Sequence, residues 1–153
     1  MKKQPLISVI VASYNYAKYI KETLDSLIRQ TNKSFEVIVV DDGSKDQSLP
    51  IIEEYANRFK NIKLYTHPGN QNRGLAETVI LGIEKSNGEY IAFCESDDYW
   101  TNNHIEYLQD TIQQNPLANF IVNGIKVINL SNNPEYDSYI CLLYTSPSPR
   151  DCS

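Results

Sequence analysis

A membrane-spanning run, a basic excess and a disulfide framework are all missing from this 153-residue sequence. No apolar run is long enough to cross a bilayer, and Met1 to Pro5 lead into a short strand instead of a signal peptide. The formal charge of -5 argues against general nucleic-acid binding, which favours basic surfaces, and three cysteines form no recognisable disulfide pattern. We therefore expect a cytoplasmic protein, held at the membrane surface only if a longer natural chain carries an anchor.

The composition itself is ordinary. A hydrophobic fraction of 41% and a charged fraction of 22% are typical of a soluble globular protein. The length suits one domain with a substantial core, and no internal repeat or linker interrupts it. We expect this single domain to cover residues 1–140 and to be incomplete.

The tail at residues 141–153 follows a different pattern. From Cys141 it contains Leu-Leu-Tyr-Thr-Ser-Pro-Ser-Pro-Arg-Asp, which continues neither a helical nor a strand period. Allowed codons for this stretch can spell the transposon end and primer of a tagmentation sequencing library, and the tail looks like a translation of that adapter. A natural Ser/Pro-rich disordered terminus is the alternative. Either interpretation excludes the tail from the fold, and the first predicts a natural chain cut short near residue 140.

Strand and helix patterns alternate along the rest of the chain. Short runs rich in Ile and Val predict buried strands, and apolar residues three or four apart predict helices between them. This order predicts an α/β fold with a largely parallel sheet and helices on both faces. The strands are predicted at Leu6 to Ala12, Phe35 to Val40, Ile62 to Thr66 and Tyr90 to Cys94, with a further one from Phe120 to Leu130.

Two pairs of adjacent carboxylates follow predicted strands, Asp41-Asp42 and Asp97-Asp98. Adjacent acids repel each other, and they persist mainly where a cation or a donor-rich ligand compensates them. Ligands of open α/β sheets bind beyond the carboxyl ends of the strands, so the two pairs predict one site for a metal and a polar ligand. The alternatives are a plain turn with an Asx bond for the first pair, and a helix N-terminus for the second.

The carboxylates of the two pairs can bind different parts of a ligand. Asp42 can accept the ring N–H of uracil, thymine or guanine, whereas cytosine lacks a ring N–H at the matching edge. If Asp97 and Asp98 point to opposite faces, as neighbouring strand residues do, one can bind a divalent ion and the other ribose hydroxyls. All-oxygen ligation suits Mg²⁺ or Mn²⁺, completed by phosphate oxygens and water.

Other polar and aromatic residues lie close to these strand ends. Tyr14, just after the first strand, can stack on a flat ligand with a gain of ~1–3 kcal/mol, or pack against the next helix. Arg73 lies in a turn before a helix, where it can reach a pyrophosphate or remain solvated. His67 and His104 belong to no cluster, and we expect both to be solvated.

In combination, these residues resemble the family 2 inverting glycosyltransferases, which have the GT-A fold, a Rossmann-like three-layer sandwich. The resemblance runs from about Ile7 to Leu108. Each motif alone is weakly specific, whereas the ordered set is strongly specific. The motifs are Ser13-Tyr14-Asn15, Val40-Asp41-Asp42-Gly43-Ser44, Asn72-Arg73-Gly74-Leu75-Ala76, and Gly88-Glu89-Tyr90-Ile91-Ala92-Phe93 followed by Asp97-Asp98.

The resemblance implies transfer of a sugar, with inversion, from a nucleotide-diphosphate sugar such as a UDP-sugar. The acceptor would be a saccharide, a lipid-linked group or a protein. It also implies Mg²⁺ or Mn²⁺ as cofactor, a truncation before the acceptor-binding half, and loss of the catalytic base with that half. The implied nucleotide site comprises Ser13, Tyr14, Asp42, Arg73 and Asp97, with Asp98 as the metal ligand.

Two positions depart from the family pattern. Glu95 stands where Asp is common, and Thr78-Val79-Ile80 replaces a frequent Ala-Arg-Asn. Three other functions are alternatives. A nucleotidyltransferase should have a Gly-rich basic loop after the first strand, and a phospho-receiver should have an Asp where Thr66-His67 stands. The third is a nucleotide-binding fragment that catalyses nothing.

Overall fold

The computed structural model of the chain describes residues 6–122, 125–126 and 139–140. These residues fall into two compact units, Met1–Asp110 and Thr111–Ser153. The tail at residues 141–153, for which the sequence predicts a non-native origin, lies outside the described residues. The truncation near residue 140 stays a prediction.

The first unit alternates strands and helices in the predicted order. A 3₁₀ turn at Pro68–Asn70 follows the third strand. The last helix of the series starts in the first unit and ends in the second. The elements are β1 Ile7–Ser13, α1 Ile20–Ile28, β2 Phe35–Asp41, α2 Ser48–Arg58, β3 Ile62–Thr66, α3 Leu75–Lys85, β4 Tyr90–Phe93 and α4 His104–Gln114.

Four parallel strands form the sheet of the first unit, in the order β3-β2-β1-β4. The two central strands, β1 and β2, pair in register from Ile7 with Phe35 to Ser13 with Asp41. Every residue of β2 is buried, as expected for a β-branched strand that helices cover on both faces. The predicted parallel α/β fold is therefore confirmed.

The helices cover both faces because the crossover connections are right-handed. The chain moves outward from β1 to β3 through α1 and α2, which places these helices on one face. It then returns past β1 to β4 through α3, which places α3 on the other. Gly82 lets α3 approach closely, since a Cβ there would lie only 2.7 Å from Cγ2 of Ile10.

The direction of the chain across the sheet reverses between β1 and β4. Such a topological switch point leaves a crevice beyond the carboxyl ends of the strands, where ligands of open α/β sheets bind. The switch point of this sheet lies between the loop after β1 and the loop after β4. The fold thus places the first strand tip next to the acidic loop at Asp97 and Asp98.

The prediction of a strand from Phe120 to Leu130 was right only in part. The second unit has a short antiparallel pair, β5 Ile125–Lys126 with β6 Tyr139–Ile140. Residues 120–122 form no strand, and residues 123–124 and 127–130 lie outside the described part. Within the described residues, no helix combines the length and the apolar content that a membrane span requires.

Candidate functional site

The loop after β1 is held by the loop after β2. Asn15 lies in the left-handed region with a φ of 58°, which turns the chain sharply after Tyr14. Tyr14 is 43% exposed, so part of its side chain is accessible to a ligand. We call the joining contacts the loop clasp: Asn15 N to Ser44 Oγ at 2.9 Å, Tyr16 N to Ser48 Oγ at 2.8 Å, Ala17 N to Asp46 Oδ2 at 3.0 Å and Lys45 N to Asn15 Oδ1 at 2.7 Å.

Asp46 is the charged member of the loop clasp. Burial by itself would raise its pKa, but hydrogen bonds from Ser48 and Ala17 outweigh that effect and hold the pKa below its usual value. The ionised form is therefore the form that fits the clasp. A carboxylate that accepts backbone N–H groups makes stronger hydrogen bonds than a neutral acceptor would.

Asp41 forms the turn that the sequence offered as an alternative. Its carboxylate accepts the backbone N–H of Ser44 at 2.9 Å and is fully buried, so it is a structural turn residue. Gly43 has a φ of +76°, and a Cβ there would lie 2.7 Å from the carbonyl oxygen of Asn70. The turn after β2 therefore packs directly against the backbone of the loop after β3.

Asp42 is bound to the backbone of the loop after β3. Its Oδ1 accepts the backbone N–H of Arg73 at 2.7 Å, and its Oδ2 accepts that of Gly74 at 2.9 Å. The residue is only 4% exposed. An ionised carboxylate has about four acceptor positions, so two remain after these bonds. Recognition of a base by Asp42 stays a prediction, and the side chain also fixes the turn that carries the exposed Arg73.

The acidic loop after β4 is not a continuation of the strand. β4 ends at Phe93, and Ser96-Asp97 form a turn in which Asp98 N donates to the carbonyl of Glu95 at 3.1 Å. The premise that Asp97 and Asp98 alternate across a strand was therefore wrong, because the chain has already left the sheet. The alternative of a helix N-terminus fails as well, since α4 begins only at His104.

Both acids of the loop are exposed, and their electrostatics differ. Burial, followed by the charge of Asp97, raises the pKa of Asp98. The ionised form of Asp98 is thus less favoured than in a fully solvated aspartate, and a nearby cation would favour it. The loop is anchored to α1 and to Gln30 just after it by three hydrogen bonds: Thr23 Oγ1 to Ser96 O at 3.0 Å, Trp100 N to Ser26 Oγ at 3.1 Å and Gln30 Nε2 to Thr101 O at 2.7 Å.

All the predicted site residues meet at one edge of the sheet. β1 lies between β2 and β4, so these two outer strands are about 10 Å apart, and β4 ends opposite Ile10, before the ends of β1 and β2. Ser13 Oγ is buried at the central tip and has no hydrogen-bond partner among the described residues. Ser13 and Tyr14 follow β1, Asp42 follows β2 and holds Arg73, and Asp97 and Asp98 follow β4.

The acidic loop fits a metal that a ligand helps to hold. In the described part of the chain, no group of three or more His, Cys, Asp or Glu side chains is arranged to bind a metal by itself. Mg²⁺ and similar ions often take only one or two protein carboxylates and complete their shell with phosphate oxygens and water. Asp98, with Asp97 beside it, matches that kind of site and does not match a closed metal cage.

Sequence reasoning missed the role of His67. The histidine was expected to be solvated, but it is only 6% exposed, and its Nε2 lies 3.6 Å from Asp42 Oδ1. His104 was also wrongly assigned, because it is partly buried against Trp100 and that burial lowers its pKa. No local pattern marks either burial. Asp46 had a usable signal, since an Asp two residues before a helix-opening Ser is typical of an Asx turn.

The sequence of the chain matches a protein-family model. The model described as glycosyl transferase family 2 matches residues 8–146. The chain belongs to glycosyl transferase family 2. The resemblance that the motifs indicated is confirmed.

Proteins of similar sequence are also named as glycosyltransferases. An uncharacterized glycosyltransferase of Haemophilus influenzae is 34% identical over 141 residues, which cover 86% of this chain and 56% of the relative. An uncharacterized glycosyltransferase of Bacillus subtilis, EpsJ, is 39% identical over 113 residues, which cover 74% of this chain and 32% of EpsJ. The family 2 chain described here thus spans about half of one relative and a third of the other.

A solved structure supports the fold. TarS 1-349 of S. aureus in complex with UDP-GlcNAc superimposes with a TM-score of 0.67 and 34% identity, over 80% of this chain and 37% of TarS. The GT-A prediction is confirmed by this match and by the four-stranded parallel sheet.

Proposed function

We propose that this family 2 chain is the donor-binding part of a glycosyltransferase that uses a UDP-sugar. The observation that carries the proposal is the meeting of an exposed aromatic ring, a buried acceptor carboxylate and two exposed acids at the switch point. A nucleotide-diphosphate sugar needs these groups in sequence, for its base, its ribose and its diphosphate. The UDP-GlcNAc bound to the 34% identical TarS supports uridine as the base.

The base would be bound by Tyr14 and Asp42. The exposed ring of Tyr14 offers a stacking surface that the loop clasp keeps in position. Asp42 retains acceptor capacity after its bonds to Arg73 and Gly74, and a uracil ring N–H could use it. The unpaired hydroxyl of Ser13 lies under the same strand tip and can bond to the nucleotide.

The ribose and diphosphate would be bound on the other side of β1. We assign the ribose hydroxyls to Asp97 and a Mg²⁺ or Mn²⁺ ion to Asp98. The bound ion would neutralise negative charge that grows on the departing diphosphate. Arg73 adds a second positive charge, from a turn that Asp42 holds in place. The proposed reaction of the whole protein is a single displacement with inversion at the anomeric carbon.

A titration of the 153-residue chain with UDP tests this assignment, with and without Mn²⁺, by isothermal calorimetry. We expect binding that Mn²⁺ strengthens and that Asp98→Ala weakens in the presence of Mn²⁺ only. The control is Asp110→Ala, which removes an exposed carboxylate from α4. UDP binding that is indifferent both to Mn²⁺ and to Asp98→Ala would contradict the proposal.

A further inference from the structure

Three polar side chains are buried together behind the turn that carries Arg73. They are His67, after β3, Thr78, in the first turns of α3, and Asp42, after β2, with exposed fractions of 6%, 1% and 4%. Buried polar groups cost free energy unless they are hydrogen-bonded, so their arrangement specifies one geometry. The resemblance to family 2 gave no role to His67 or Thr78.

The positions of the protons follow from the acceptors. The Thr78 hydroxyl donates its single proton to the carbonyl oxygen of Gly74 at 2.9 Å, because a carbonyl can only accept. The Thr78 oxygen lies 3.1 Å from Nε2 of His67 and must therefore act as the acceptor there. Nε2 of His67 thus carries a hydrogen.

The same nitrogen also lies near Asp42. Nε2 of His67 lies 3.6 Å from Oδ1 of Asp42, too far for a direct hydrogen bond and close enough for a favourable charge–dipole interaction. Oδ1 is the oxygen that accepts from Arg73 N, and Oδ2 accepts from Gly74 N. His67 therefore lies beside the same carboxylate that holds the turn.

Gly74 is held at both of its backbone polar groups. Its N–H donates to Asp42 and its carbonyl accepts from Thr78. Its φ of 86° and ψ of 164° belong to a region that is essentially restricted to glycine. The turn between Arg73 and α3 is thus fixed by the same buried cluster that orients the Asp42 carboxylate.

We infer that His67 and Thr78 are positioning residues that couple base recognition by Asp42 to the placement of Arg73. This inference rests on the proposed function, because it assigns Asp42 to the base and Arg73 to the diphosphate. The ligand class it selects is a nucleoside diphosphate whose base presents a ring N–H to Asp42, such as UDP. CDP lacks that group and should gain from the cluster only through the diphosphate contact of Arg73.

The test uses three variants of the 153-residue chain. His67→Phe keeps a ring and removes the N–H, His67→Gln keeps a donor near the place of Nε2, and Thr78→Val keeps the shape and removes the hydroxyl. The first readout is amide hydrogen exchange at Arg73 and Gly74 in the ligand-free chain, measured by NMR. The second is the dissociation constant for UDP and for CDP in Mn²⁺. His104→Phe is the control, because His104 stacks on Trp100 and lies outside the cluster.

We expect His67→Phe and Thr78→Val to speed exchange at Arg73 and Gly74 roughly tenfold and to weaken UDP binding by a similar factor, as loss of one buried hydrogen bond does. CDP binding should weaken less, because CDP shares the diphosphate contact with Arg73 and lacks the ring N–H for Asp42. His67→Gln should recover most of both effects, which a merely space-filling role of the ring would not allow. His104→Phe should leave exchange at both amides unchanged.

The outcomes separate the two hypotheses. If the wild-type chain binds neither nucleotide, the proposed function fails and the coupling to base recognition fails with it, while the exchange rates still report whether His67 and Thr78 hold the turn. If UDP binds and His67→Phe changes neither the exchange nor the preference for UDP over CDP, the inference is overturned. A His67→Gln variant no better than His67→Phe overturns it too. Should His67→Phe fail to fold, Thr78→Val decides by the same criteria.

Discussion

The backbone N–H of Ala17 donates a hydrogen bond to Oδ2 of Asp46 at 3.0 Å, across 29 residues of sequence. This bond joins the loop after β1 to the loop after β2, together with the other contacts of the loop clasp. Tyr14 directly precedes the clasped residues Asn15, Tyr16 and Ala17 and is 43% exposed. The backbone that carries the proposed stacking ring is therefore held in part by a neighbouring loop.

Removal of the Tyr14 ring should weaken UDP binding. Stacking of a base on an aromatic side chain contributes about 1–3 kcal/mol, so Tyr14→Ala should raise the UDP dissociation constant roughly 5- to 150-fold. Tyr14→Phe keeps the stacking surface and should remain close to wild type. Calorimetric titration of the three chains in Mn²⁺ measures both effects, and equal losses in the two variants would point to the hydroxyl and against stacking.

Asp46 should act on UDP binding through Tyr14. Asp46→Ala removes an acceptor from the clasp, and we expect about a tenfold loss of UDP affinity. A double-mutant cycle with Tyr14→Ala tests the coupling, since Asp46→Ala should cost much less once the ring is gone. Lys45→Ala is the matched control, because Lys45 contributes to the clasp through its backbone N–H. Additive losses would mean that Asp46 does not act through Tyr14.

The sequence predicted the sheet and its edge because both depend on local patterns. Runs of Ile and Val determine which segments become strands, and the side chains after each strand must emerge at the same edge of a parallel sheet. This reasoning was sufficient to bring Tyr14, Asp42 and Asp98 to neighbouring strand tips. The exposure of Asp98 also follows, since an unpaired carboxylate is rarely buried.

The contacts between loops could not be predicted in this way. Asp42 bonds to the backbone of Arg73, 31 residues away, and the burial of His67 depends on where α3 begins. Nothing in the residues near His67 encodes that packing. Sequence patterns thus specify which side chains reach the edge, while the partners of those side chains depend on how separate loops pack together.

Gly43 offers a test of that loop packing. Its φ is +76°, and an added Cβ would lie 2.7 Å from Asn70 O and 2.9 Å from Asn72 N. Gly43→Ala should therefore lower the free energy of unfolding by roughly 2–4 kcal/mol, through backbone strain and overpacking together. Gly69 has a similar φ of +69° with no atom closer than 3.8 Å, so Gly69→Ala should cost only about 1 kcal/mol. Urea unfolding measures the loss of unfolding free energy in both variants. Equal losses would exclude a steric contribution at Gly43.

Glu36 should make stability depend on pH at the opposite end of the sheet. Its carboxylate pairs with Lys63 Nζ at 2.7 Å and accepts from Ser8 Oγ at 2.7 Å and Asn87 N at 2.6 Å. Burial alone would raise the pKa of Glu36, but the hydrogen bonds from Lys63, Ser8 and Asn87 lower it from 4.5 to about 2.

A depressed pKa means that Glu36 stabilises the fold above pH 4.5 and loses this effect as the pH falls towards about 2. The shift corresponds to a contribution on the order of 3 kcal/mol at neutral pH. Glu36→Gln should therefore unfold at lower urea concentration than wild type at pH 7, and the difference should shrink steadily below pH 4.5. Glu84→Gln, on the exposed side of α3, is the control. A difference that is constant from pH 7 to pH 2 would contradict this account.

The ionised carboxylate of Asp98 should affect stability in the opposite direction from that of Glu36. Its pKa is raised above 3.8 by burial and by Asp97, so the ionised carboxylate destabilises the free fold once the pH exceeds that raised pKa. The penalty is absent below 3.8, where the group is protonated in the folded and the unfolded chain. Asp98→Asn should therefore raise the melting temperature of the metal-free chain at pH 7, and this advantage should vanish near pH 3.

Binding of UDP and Mn²⁺ should reverse the order of the melting temperatures of wild type and Asp98→Asn. A ligand at a hundred times its dissociation constant stabilises the folded state by about 2.7 kcal/mol, and Asp98→Asn should lose most of this gain if Asp98 holds the metal. Thermal unfolding of both chains at pH 7, with and without saturating UDP and Mn²⁺, measures the crossing. Asp110→Asn should follow wild type in both conditions. An Asp98→Asn chain that melts below wild type without ligand would show that the carboxylate stabilises the fold. If instead Asp98→Asn melts above wild type without ligand and below it with ligand, the free protein loses stability to keep a charge in place for the cation.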